Sequence, residues 1–225
     1  MEEDLAQFLN TSIDPCTSLA RWMKTNNRKV IGFFPMHIPE EIIHASGMLP
    51  VIMWRGNEPV TVGHSHIPPT NCGLTRSFVG DAVRGRLDFL DGMISWRMCL
   101  QAQSLAFIIG RNACPSYLEH LYLPAIFPGT KTFPGTAIND FLIAELDRLK
   151  ASVEQFSQQE ITTESLNRSI EVYNKNRNLL RRLYELRRRK PEAFKAKEMM
   201  AIVHSSMLMP KEEYNQLLEK LFTPA

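Results

Sequence analysis

The sequence predicts an α/β fold, a parallel sheet with flanking helices, followed by a C-terminal arm of long helices. Three observations carry that expectation. Between Lys29 and Phe127, short apolar runs alternate with helical patterns of about ten residues, the order of βαβ units and hence of a parallel sheet. Beyond Pro134 the apolar spacing changes to a sustained helical period. Hydrophobic residues make up 44% and charged residues 22% of the 225, close to globular averages, so the chain has apolar surface enough for a real core.

Leu5, Phe8, Leu9, Leu19, Trp22 and Met23 predict one or two short helices over residues 4–26, broken near Pro15, where the backbone lacks a donor. Lys29-Val-Ile-Gly-Phe-Phe34 has the form of a buried strand. Pro39 opens the next helix, with Glu40 and Glu41 at the positive end of its dipole, and Gly47 stops it. Leu49–Trp54 is expected as the second strand, and residues 55–73, rich in Gly, Pro and His, as loop. A helix from Leu74 to about Gly85, a strand at Asp91–Trp96, a helix from Cys99 to Ile109 and a fourth strand at Leu121–Phe127 follow. Two long helices are expected at 137–157 and 163–190, the second striped by Leu166, Ile170, Tyr173, Leu180, Leu183 and Leu186. Thr162 or Thr163 caps it, and the order from Glu164 to Arg187–Lys190 matches the helix macrodipole. Pro191 and Pro210 punctuate two further helices. The expected organisation is an N-terminal helical segment (1–28), an α/β domain of the Rossmann or flavodoxin-like kind (29–135) and a helical arm (136–225).

The 26 basic and 24 acidic residues leave a net charge of +2, which implies no polyanionic partner. Arg181, Arg182, Arg187, Arg188, Arg189 and Lys190 lack the interleaved aromatics of a nucleic-acid surface and read as a solvated helix end. No apolar run reaches the roughly 18 residues of a membrane span. The acidic start, Met1-Glu-Glu-Asp-Leu5, lacks a signal-peptide pattern. A cytoplasmic protein is expected, with Cys16, Cys72, Cys99 and Cys114 reduced, so ligand or catalytic roles compete with burial.

Cys72 and Cys99 have the most telling placement. Each stands just before or at the start of a predicted helix, and Cys99 also lies just past a strand, where parallel sheets collect ligands. A helix N-terminus also favours the thiolate that metals require. The spacing alone, 26 intervening residues, is equally that of two buried small side chains. His64 and His66 add zinc-type donors near Cys72, but no fourth ligand stands at customary spacing, and solvated loop histidines account for them. Glu41 and His44 share a helix face, three residues apart. A carboxylate there suits acid/base work if partly buried, while dipole compensation explains one of the two glutamates equally well. No glycine-rich phosphate loop follows the first strand, so dinucleotide binding has no support.

Several segments, taken in order, go further. They are Val30-Ile-Gly-Phe-Phe34, then Ile38-Pro-Glu-Glu-Ile-Ile-His-Ala-Ser-Gly-Met-Leu-Pro-Val51, then Cys72 with Arg76 and Ser77. Leu87-Asp-Phe-Leu-Asp-Gly-Met93 leads to Cys99, and Ile161–Arg189 contains Ser169-Ile-Glu-Val-Tyr-Asn-Lys-Asn-Arg-Asn-Leu-Leu-Arg181. From about residue 28 to 220 the chain resembles the N-terminal part of the 2-hydroxyacyl-CoA dehydratase / benzoyl-CoA reductase subunit family, of the 2-hydroxyglutaryl-CoA dehydratase D-component kind. The Pro39–Gly47 and Tyr173–Arg177 stretches are its most specific segments.

The resemblance implies an iron–sulfur subunit of paired α/β domains, with a 4Fe–4S cluster held through three cysteines. It implies a sister subunit, an ATP-dependent activator that donates electrons, and an acyl-CoA substrate that undergoes radical dehydration or ring reduction. Nucleic acid and membrane are not among the partners. By position, Cys72 and Cys99 are the first two cluster thiolates, and Glu41 matches a carboxylate expected in acid/base work. The third cysteine is expected from a second α/β domain, absent after Ala225, and Cys16 and Cys114 match no family ligand. The run Ser95-Trp-Arg-Met-Cys99-Leu-Gln lacks the aspartate that commonly follows the second cysteine. The alternative is a non-catalytic assembly module of the same fold that has lost the cluster.

Overall fold

An aspartate and a proline divide the first helical stretch. In the computed structural model, which describes residues 2–34, 37–53, 61–96, 100–112, 115–124 and 135–222, α1 (Glu2–Ile13) ends before Asp14. The Asp14 side chain accepts from the Thr17 N–H at 3.3 Å and caps α2 (Pro15–Asn26), whose first turn carries Pro15. β1 (Val30–Phe33) is buried along its whole length. α3 (Glu40–Ala45) follows, with Pro39 at its cap, and Gly47 at φ +81° turns the chain into β2 (Leu49–Ile52). Then come α4 (Gly73–Val83), β3 (Gly92–Trp96), α5 (Leu100–Asn112) and β4 (Tyr117–Leu121).

The four described strands pair in parallel, in the order β2-β1-β3-β4. The α/β class is therefore as the alternating pattern predicts. The order has a mechanical consequence. From β1 the chain winds outward to β2, then crosses back to β3 on the other side. The sheet thus has its topological switch point between β1 and β3, where doubly wound folds bind ligands at the strands' carboxyl ends.

Both faces of the sheet are covered. Ile31, Phe33 and Ile94 pack against Ile43 of α3 and against Leu149 and Val153 of α6 (Gly135–Ser157). Met93 on the opposite face packs with Phe78 and Val79 of α4 and Leu105 and Ile109 of α5. α7 (Thr163–Arg189) begins at Thr162, whose hydroxyl accepts from the Ser165 N–H at 3.1 Å. α8 (Ala196–Ser206) and α9 (Lys211–Phe222) complete the described chain. Phe8 of α1 shares one core with Leu183 of α7, Ile202 of α8 and Tyr214 of α9, so the first helix packs with the last ones. No helix among the described residues is long and apolar enough to cross a membrane.

One strand is displaced from its expected place. The fourth strand runs Tyr117–Leu121 rather than Leu121–Phe127, and residues 125–127 lie outside the described residues. Among the described residues β4 is an edge strand, paired with β3 alone. It carries polar Glu119 and His120 and is only partly buried, so the apolar run after it gives the stronger sequence signal. Trp54, expected in the second strand, also lies outside the described residues; the strand ends at Ile52. The loop expected at 55–73 contains a short 3-10 turn at Val62–Ser65.

Candidate functional site

Cys72 is the N-cap residue of α4, in extended conformation (φ −62°, ψ 157°), and is exposed. Its backbone N–H donates to Gln101 Oε1 at 2.7 Å. Gln101 belongs to the first turn of α5, two positions after Cys99. The structure therefore joins the start of α4 to the start of α5, on the side where β3 ends. Cys99 itself lies outside the described residues, as does Cys114.

Electrostatics at Cys72 favour the thiolate. Partial burial opposes ionisation and is the largest single influence. The Thr75 hydroxyl, 3.4 Å from Sγ, the backbone N–H groups of Thr75 and Leu74, and the Arg76 charge outweigh it together and bring the thiol below its ordinary value. The helix-start position noted in the sequence thus has the chemistry of a thiolate donor. Cys16 is the opposite case. It is half-buried near Asp81, and burial with that negative neighbour pushes its thiol up to about 11. It is a packing thiol at neutral pH.

His64 and His66 are exposed beside the 3-10 turn. Among the described residues no group of three His, Cys, Asp or Glu side chains is arranged to hold a metal ion. A thiolate-bound group at Cys72 would therefore draw its further ligands from elsewhere, Cys99 being the nearest in sequence to the tie at Gln101.

Glu41 stands at the start of α3 and pairs with Arg177 of α7. Its neighbours are similarly engaged. His44 Nδ1 lies 2.8 Å from the Ser169 hydroxyl and Nε2 3.2 Å from Glu212. Glu40 lies 3.5 Å from Lys211 Nζ. Buried Tyr173 packs edge-on to His44, ring centroids 5.5 Å apart. Burial, with Glu40, Glu41 and Glu212 around it, holds the Tyr173 phenol well above its ordinary value. The Pro39–Gly47 and Tyr173–Arg177 stretches thus dock onto each other. No hydrogen bond or ion pair among the described residues joins Glu41 to Cys72. Sequence reading did not foresee Arg177 and Lys211 as partners of α3, because 136 positions separate Glu41 from Arg177.

A second polar group lies at the outer end of the sheet. Ser95 and His120 are register partners on β3 and β4, and Ser95 Oγ sits 2.8 Å from His120 Nδ1. Glu119, on the other face, takes the Ser152 hydroxyl and Arg148 Nη1, the latter at 2.9 Å. Arg148 also donates to the His120 carbonyl at 2.6 Å and to Glu145 at 3.1 Å. Sequence reading did not pair Ser95 with His120; only strand register brings them together. The basic run at the end of α7 is a helix end, with Arg188 and Arg189 paired to Glu185 and Arg187 donating to the Phe194 carbonyl.

Comparison with known proteins extends the picture. Residues 35–225 match the family described as "2-hydroxyglutaryl-CoA dehydratase, D-component". The chain is 29% identical to a benzoyl-CoA reductase subunit of Thauera aromatica over 212 residues, 93% of this chain and 53% of that protein. It is 27% identical to the beta subunit of (R)-2-hydroxyglutaryl-CoA dehydratase from Acidaminococcus fermentans over 221 residues, 96% of this chain and 56% of that one. With the (R)-phenyllactyl-CoA dehydratase beta subunit of Clostridium sporogenes the figures are 24% over 208 residues, 92% and 54%. The chain spans about half the length of each of these relatives.

Proposed function

The chain belongs to the 2-hydroxyglutaryl-CoA dehydratase D-component family, and on that premise we propose that it is part of an iron–sulfur subunit of a 2-hydroxyacyl-CoA dehydratase or benzoyl-CoA reductase type of enzyme. Cys72 and Cys99 are its thiolate ligands to a 4Fe–4S cluster, and the third ligand comes from outside these residues. When bound, the cluster supplies low-potential electrons to an acyl-CoA thioester. The enzyme pairs the subunit with a sister subunit, takes electrons from an ATP-dependent activator, and works in the cytoplasm.

The chain's own residues have definable tasks in this reading. The N-terminus of α4 and the Thr75 hydroxyl keep Cys72 ready to ionise. Gln101 fixes the Cys72 backbone against α5. Glu41, held by Arg177 at the start of α3, is the acid/base carboxylate. The observation that carries the reading is the Cys72–Gln101 bond, which ties a thiolate-favouring cysteine to the helix that follows Cys99. The assembly-module alternative draws on a different observation: Arg177 already engages Glu41, as a docking contact between helices requires.

Iron and acid-labile sulfide, measured anaerobically on the chain co-purified with its sister subunit, test the proposal. Iron and sulfide should be present, and should drop to background in Cys72→Ala and Cys99→Ala. A stable, iron-free complex in the unsubstituted protein would refute cluster binding and leave the assembly module standing.

A further inference from the structure

Ser95 and His120 are each one residue from the carboxyl end of their strand. With Gln103 and Phe107 of α5, and with Leu118 and Tyr122, they bound a cavity of about 230 Å³. The mouth is apolar and open to solvent: Phe107 is 71% exposed, Tyr122 54% and Leu118 44%. Isolated apolar side chains at a surface need no explanation, but three around one cavity mark a surface that a ligand would cover.

Size and lining narrow the ligand. An apolar cavity of about 150 Å³ accepts benzene. The present one therefore takes a six-membered ring or a short branched chain. Its polar groups converge at one place. Ser95 Oγ engages His120 Nδ1, leaving Nε2 with no protein partner among the described residues. Burial holds the imidazole below its ordinary value, against Glu119 and Glu145 and together with Arg148, so the ring is neutral and Nε2 either donates or accepts one hydrogen bond. No cation lines the cavity among the described residues, and Arg148, which donates to the His120 carbonyl, is committed to Glu119 and Glu145. The Glu119 carboxylate also lines the cavity, so a second carboxylate placed there would meet a like charge with only neutral donors, Gln103 and His120, to replace its water, and so is disfavoured.

We propose that this cavity receives the acyl group of the thioester, and that it selects an uncharged aryl or branched alkanoyl group whose oxygen is hydrogen-bonded by His120. Ser95 is the positioning residue that holds the imidazole. The inference rests on the acyl-CoA reading above. It adds that dicarboxylic acyl groups are disfavoured.

Calorimetric titration of the subunit complex with benzoyl-CoA, glutaryl-CoA and free CoA tests it, with iron measured on the same samples. Benzoyl-CoA should bind at least about tenfold more tightly than glutaryl-CoA. Phe107→Ala, at an exposed position that the fold tolerates, should weaken benzoyl-CoA by about tenfold without changing free CoA. His120→Gln should weaken benzoyl-CoA less than His120→Ala. Equal affinity for the two thioesters, failure of the unsubstituted complex to bind benzoyl-CoA, or indifference to Phe107→Ala would each overturn the proposal. Iron present with indifferent binding removes the cavity alone, whereas selective binding without iron removes the cluster reading alone.

Discussion

Cys16 and Cys72 are the same residue at the start of two different helices, yet burial raises one thiol and hydrogen bonds lower the other. Sequence marked both as free thiols; only their surroundings separate packing from ligand chemistry. The same holds for the carboxylates near α3. Glu212 is held at about 2, first by its hydrogen bond from His44, against partial burial that opposes it. Its folded-state value is depressed, so its stabilisation is fully present above its ordinary value of 4.5 and is lost as pH falls towards 2. Glu212 is 40% exposed, so solvent screening reduces the contribution to about 1 kcal/mol. Glu212→Gln should lower the melting temperature by about 2–4 °C at pH 7. Melting curves of the two proteins should converge between pH 4.5 and 2; a gap that stays constant over that range would refute the linkage.

β4 shows how an element outside the apolar pattern is stabilised. An open strand edge presents unpaired backbone groups that invite further pairing. Here side chains cover them. The His120 N–H donates to Glu119 at 2.9 Å, the His120 carbonyl accepts from Arg148, and the Tyr122 N–H donates to Glu145 at 3.1 Å. The polar residues that hide β4 from a hydrophobicity reading are therefore the ones that close its edge. Arg148→Ala should cost about 1–2 kcal/mol, because it removes the charged donor that the His120 carbonyl, Glu119 and Glu145 share. It should also speed amide exchange at His120 and Tyr122 and promote association seen by light scattering. Unchanged exchange at those amides would show the edge to be protected by something else.

The whole molecule is held by a core that ignores sequence distance. Phe8 is fully buried, its ring 5.4 Å from that of Tyr214, whose hydroxyl donates to the Ile202 carbonyl at 3.0 Å. The N-terminal helical segment (1–28) expected from the apolar spacing includes α1, which shares its core with α7, α8 and α9. Phe8→Ala should destabilise the protein by about 3–5 kcal/mol in urea unfolding, since the helices around it cannot collapse into the void. A loss under about 1 kcal/mol would mean that α1 is dispensable to that core. The polar ties of α3 to α7 and α9 join this helical core to the sheet.

Local physics was readable along the chain. Apolar period, the Thr162 cap, the proline breaks and Gly47 depend on near neighbours, so the α/β class, the helical arm and most element positions follow from them. The helix-start placement of Cys72 followed from the same signals. What depends on contacts between distant segments did not. The strand order with its switch point, the Cys72–Gln101 tie, the docking of Glu41 on Arg177, the Ser95–His120 pair and the edge position of β4 among the described strands each join residues far apart in the chain. Such contacts are set by the packing of whole elements, and no periodicity in a single sequence encodes which elements meet.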